Sequence, residues 1–107
     1  MFIAMNRFKV APGSAAAFEH VWTSRETHLS AVPGFVEFHL LRGPSRDDHV
    51  LYSSHTVWAS RDAFEDWTRS DAFRAAHRDA GTVNRGDAPL YLGHPEFEGF
   101  EVIQTVK

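Results

Sequence analysis

A chain of 107 residues, 43% hydrophobic and 23% charged, suits one compact domain spanning residues 1–107 and is too short for two. Eleven Lys and Arg against fourteen Asp and Glu leave a formal charge of −3 with no basic run, which argues against nucleic acid and anionic membranes as partners. With no cysteine, disulfides, thiolate nucleophiles, zinc–thiolate sites and iron–sulfur clusters are removed together, and a cytoplasmic address fits.

Phe2 to Val10 reads as a first strand, too interrupted by Asn6 and Arg7 to be a signal core or a membrane span. It ends at Ala11-Pro12-Gly13, a turn sequence, after which Ser14 is the expected cap of a helix. Apolar residues at Phe18, Val21, Trp22, Leu29 and Val32 carry that helix to Pro33-Gly34. Phe35–Leu41 and Val50–Trp58 are two strands of a hairpin joined by a long polar loop from Arg42 to His49. Ser60 caps a second helix through Ala63, Phe64 and Trp67, and Ser70-Asp71 offers a fresh start for Phe73, Ala76, His77 and Ala80. After Gly81 comes a polar loop, then extended segments at Leu90–Leu92 and Phe97–Val106 with a kink at Gly93-His94-Pro95.

The order β-α-β-β-α-β is that of an α+β, ferredoxin-like split βαβ fold, one antiparallel sheet with both helices on one face. The strands are apolar on both sides in places, Phe2 and Ala4 against Ile3 and Met5, and Val36, Phe38 and Leu40 against Phe35 and Leu41. A solvated face should alternate cleanly, so the second face is expected to pack on a second copy, giving a homodimeric α/β barrel.

Three residues are candidates for chemistry. Asn6 falls mid-strand, where asparagine is disfavoured, on the side of Phe2, Ala4 and Phe8, so it is either a residue at the sheet rim or bonded to nearby backbone, or an amide donor aimed into a pocket. Trp67 is either core or ligand-facing on the stripe it shares with Phe64. His77, four residues after Phe73, is either a satisfied core side chain or a neutral imidazole ligand for a metal or a haem iron. His20 and His28 are eight apart, without the spacing of a two-histidine metal clamp. Phosphate loops, nucleophile elbows and paired carboxylates in apolar runs are all missing.

The segment Val57–His77, with Trp58-Ala59-Ser60, Phe64-Glu65-Asp66-Trp67 and Ala75-Ala76-His77, resembles the IsdG-type haem-degrading monooxygenases of the antibiotic biosynthesis monooxygenase superfamily. The first strand, with Asn6-Arg7, is similar as well, and the likeness covers most of residues 1–80. The resemblance implies a dimeric ferredoxin-like fold in which His77 is the proximal iron ligand, Asn6 the distal amide and Trp67 the indole that shapes the macrocycle. Phe64 and Phe73 would complete the haem-binding set, and Arg25 or Arg7 would face the propionates. Haem would be both substrate and cofactor, opened with dioxygen and an external electron donor such as a reductase to release iron and a biliverdin-like tetrapyrrole. Two alternatives remain, a cofactor-independent quinone-forming monooxygenase of the same superfamily and a haem-binding protein without turnover. For Trp67 and His77 to serve one flat ligand the helix must break, because ten residues of unbroken helix separate them by roughly 15 Å along its axis and about 80° around it.

Overall fold

The computed structural model describes residues 1–25, 28–71, 73–74 and 91–107. Four strands, β1 (Phe2–Val10), β2 (Phe35–Ser45), β3 (Val50–Trp58) and β4 (Tyr91–Glu101), form one antiparallel sheet in the order β2-β3-β1-β4. Helices α1 (Ala15–Ser24) and α2 (Arg61–Thr68) lie on one face, which is the ferredoxin-like arrangement.

That face holds two aromatic clusters, one under each helix. Phe8, Val10 and Tyr52 pack with Phe18 and Trp22 of α1, whereas Phe2, Ala4 and Trp58 pack with Leu29 and with Ala63, Phe64 and Trp67 of α2. Alternation along β1 puts Phe2, Ala4, Asn6, Phe8 and Val10 on this side, and all but Asn6 are buried.

The first helix stops at Ser24, eight residues short of the expected end, and Arg25 is extended with φ −78° and ψ 135°. The reason is tertiary. Phe18 belongs to the α1 cluster while Leu29, 7% exposed, belongs to the α2 cluster, and a straight helix would carry both along one line. The chain therefore leaves the helix, passes His28 in the left-handed region at φ 55°, and delivers Leu29 on a short 3-10 turn, Leu29–Ala31. Thr23 Oγ1 bonds back to the Glu19 carbonyl at 2.9 Å, the local competition that weakens a helix end. Ser14 makes no side-chain cap, since Pro12 and Gly13 (φ +86°) close a turn that leaves it at φ −104° and ψ 3°. Ser60, in contrast, accepts from Ala63 N at 3.1 Å as expected.

Both edge strands run differently from expectation. β2 continues through Gly43-Pro44 to Ser45, which an edge strand tolerates because proline's missing donor can face outward, and the hairpin loop shrinks accordingly. A register shift between Phe35 and Glu37 leaves Val36 49% exposed, so Phe35, Phe38 and Leu40 share the helix side and the expected split of this strand is corrected. β4 is one strand from Tyr91 to Glu101 rather than two segments, with Gly93-His94-Pro95 absorbed in a bulge between the Arg7↔Glu96 and Lys9↔Leu92 pairs. Gly34, at φ +84°, seats the loop before β2 on α2, since a Cβ there would collide with the Ala63 methyl.

The other face carries Ile3, Met5 and Arg7 of β1, Ser53, His55 and Val57 of β3, Glu37, His39 and Leu41 of β2, and Glu96, Glu98 and Phe100 of β4. It is mixed rather than uniformly apolar. Arg7 pairs with Glu98 across it, and the His39 and His55 rings stack at 5.5 Å.

Candidate active site

Between the two aromatic clusters the helix-facing side of the sheet turns polar. Asn6 stands at its middle, paired with Ser54 of β3 on one side and Phe97 of β4 on the other. Its amide is half-buried and makes no hydrogen bond among the described residues. It stands in the interior of the sheet, with a strand on either side. Phe97 in turn stacks on Phe64, centroids 5.6 Å apart and planes at 7°, so the Asn6 row is tied to α2.

Trp67 is half-buried at the end of α2 and packs on Trp58 at 5.3 Å, on Phe64 at 6.3 Å and edge-on to Phe73 at 4.8 Å. The helix breaks after it, as expected. α2 ends at Thr68, and Ser70 Oγ accepts from Phe73 N at 3.2 Å, capping a new helical turn. Trp58 beneath is wholly buried, and its indole Nε1 has no partner among the described residues, an unsatisfied donor that sequence reading did not single out.

Arg25 lies on the α1 side of the same layer, its guanidinium 4.6 Å from the centre of the Trp22 ring, which stacks on Phe38 at 6.0 Å. Arg7 is excluded from the site. It points to the opposite face of the sheet and is engaged by Glu98, so the expectation that it might serve a ligand beside Asn6 is corrected by strand alternation. His77 lies outside the described residues. The structure therefore brings Asn6, Phe64, Trp67 and Phe73 into one layer between the sheet and α2, with Arg25 at the α1 end.

Among the described residues no three His, Asp or Glu side chains gather as a metal cage, and no helix is long and apolar enough to cross a membrane. The arrangement sets aromatic rings to either side of one central amide.

The profile of the antibiotic biosynthesis monooxygenase family matches residues 1–79. The chain belongs to that family. Within reach of it, the chain is 29% identical over 87 residues to a heme oxygenase (staphylobilin-producing) of Staphylococcus aureus strain Newman, covering 81% of this chain and 80% of that protein. Among solved structures it is similar to the heme-degrader MhuD of Mycobacterium tuberculosis with two hemes bound in its active site, at 26% identity and TM-score 0.72 over the whole of both chains. It is also similar to SnoaB, a cofactor-independent oxygenase from Streptomyces nogalater, at 27% identity and TM-score 0.65, with 98% of this chain and 95% of that one covered. The family thus holds haem-degrading and cofactor-independent members on the same fold.

Proposed function

We propose that this family member is a haem-degrading monooxygenase that binds haem as substrate between the sheet and α2. The observation that carries the reading is Asn6, a half-buried amide without a partner among the described residues, set between two aromatic clusters. A strand amide so placed is open to a hydrogen bond from a ligand that enters the layer. Bound haem would supply the iron that activates dioxygen, given electrons from an external donor.

The residues fit such a ligand. Phe64, Trp67 and Phe73 offer apolar faces, Asn6 offers N–H donors near the centre, and Arg25 offers a cation for a propionate at the α1 end. By the family resemblance, His77 would be the residue that holds the haem iron. Trp67, backed by buried Trp58 and flanked by Phe73, would lie against a bound haem and shape it. Asn6 donates without being an acid, so it orients an oxygen ligand and supplies no proton. The product is a biliverdin-like tetrapyrrole with free iron, and the protein is a cytoplasmic homodimer joined through the open sheet face.

Titrating haemin into the purified protein tests this directly. A histidine-ligated Soret band, followed by its loss when reductant is added in air, is the expected result. No band points to the cofactor-independent chemistry of SnoaB-like relatives, and a band stable to reductant points to a haem carrier.

A further inference from the structure

The residue opposite Asn6 is a serine, and nothing in the fold explains it. We propose that Ser54 is a second polar contact of the site, its hydroxyl acting with the Asn6 amide on one ligand group of two or three atoms, the size class of dioxygen. This rests on the haem reading above.

Ser54 faces the helix side, on the same alternation as Tyr52 and Trp58, which are 1% and 0% exposed. It is itself 6% exposed and sits between Leu40 and Asn6 in the row across the sheet. An apolar side chain is the ordinary occupant of such a position. Its neighbour Ser53 has a local role, donating to the Ser54 carbonyl at 2.9 Å, but the Ser54 hydroxyl makes no hydrogen bond among the described residues. Two polar side chains without a partner among the described residues therefore sit directly opposite each other on the helix side of the sheet, with aromatic clusters to either end.

Facing residues of antiparallel strands hold their Cβ atoms about 4.5–5.5 Å apart, so both side chains reach the same small group. Their chemistry is complementary. Asn6 brings two N–H donors and Ser54 a rotatable O–H, so the pair can bond both atoms of a diatomic or the terminal atom of an anion while leaving its direction to be set by geometry. A single donor would fix only the bond, whereas two from adjacent strands fix orientation as well.

Azide binding to the ferric-haem complex is the test, read by optical titration and by the azide stretching band in the infrared. Ser54→Ala should weaken azide by about five- to tenfold, the effect of one hydrogen bond of ordinary strength, with haem affinity and the haem-only Soret band unchanged. Ser54→Thr should restore affinity, and the loss in the Asn6→Ala/Ser54→Ala double variant should differ from the product of the single losses, because both act on one ligand. If Asn6→Ala shifts azide affinity and the stretching band while Ser54→Ala shifts neither, Ser54 is not a contact and the haem reading stands. A wild-type protein that takes up no haem overturns both.

Discussion

Trp67 and Phe73 meet edge to face, ring centroids 4.8 Å apart and planes at 90°, across a break in the helical path between them. Six residues apart on an unbroken helix, they would point about 120° away from each other. Ser70 makes the bend. Its Oγ donates to the Trp67 carbonyl, closing the first helix, and accepts from Phe73 N, opening the next turn. Ser70→Ala should therefore cost about 1 kcal/mol, as loss of an N-cap does, and should change the near-ultraviolet circular dichroism of Trp67. Urea unfolding and the dichroism of the folded variant check the two effects separately, and an unchanged spectrum would mean that packing alone holds the ring pair.

This break was legible in the sequence because Ser70-Asp71 is a local signal, as was Ser60, and both caps form. The end of α1 was not legible. Its apolar spacing runs on to Val32, and only the need to place Leu29 in a different cluster from Phe18 ends the helix at Ser24. The same limit applies to the site. Asn6 stood out because asparagine is rare in mid-strand, but Ser54 became visible only once the register set it opposite. Alternation along the first strand already set Arg7 on the face opposite Asn6, but its pairing with Glu98 became visible only with the fold.

Asn6→Ala should leave the fold at least as stable as the parent, since the amide has no partner to lose among the described residues. Haem should still bind. Turnover should fall by about 100-fold or more, equivalent to roughly 3 kcal/mol of barrier, by analogy with deletion of one preorganised donor. Single-turnover decay of the Soret band under saturating reductant measures it, and equal rates for variant and parent would remove Asn6 from the mechanism.

The axial assignment is tested by His77→Ala. Loss of the five-coordinate histidine spectrum of ferric haem is expected with an unchanged far-ultraviolet dichroism spectrum, and added imidazole should restore a nitrogen-ligated band. A variant with the parent's haem spectrum would place the ligand elsewhere.

Away from the site, Tyr52 anchors α1 to the sheet by donating its phenol hydrogen to Glu19, which also takes a 3.2 Å contact from Arg42. Burial, and then that hydrogen bond, push the Tyr52 phenol above its ordinary value of 10.0. A raised acid keeps its proton longer in the folded than in the unfolded chain, so its contribution is complete below pH 10 and declines as pH rises until the folded phenol ionises. Tyr52→Phe should cost about 1–2 kcal/mol at pH 8. That gap should narrow above pH 10, because the variant has no proton to lose. Urea midpoints of both proteins at pH 8 and pH 10.5 provide the comparison, and a constant gap would show that the phenol ionises equally in both states.

Homodimerisation is expected through the face that the helices leave open. Phe100 is 43% exposed there, beside Ile3 in the sheet, and Leu41 is 40% exposed on the opposite edge strand. Ile3 and Met5 between them are only half-buried, and Ile3 adjoins buried Val57, so the apolar part of the face runs across the sheet instead of standing as isolated side chains. The polar groups on it are largely matched within the chain, Arg7 by Glu98 and His39 by stacking on His55, while His55 Nδ1 is buried without a partner among the described residues. Covering this face with its own copy would remove the apolar surface from water. Phe100→Asp replaces an exposed ring with a charge and so should leave the monomer fold intact, yet it sets two carboxylates into the joined face and should dissociate it. Light scattering at micromolar concentration should give twice the chain mass for the parent and the single chain mass for Phe100→Asp. A parent that is monomeric with haem degradation intact would show that the site is complete in one chain and that this face meets water.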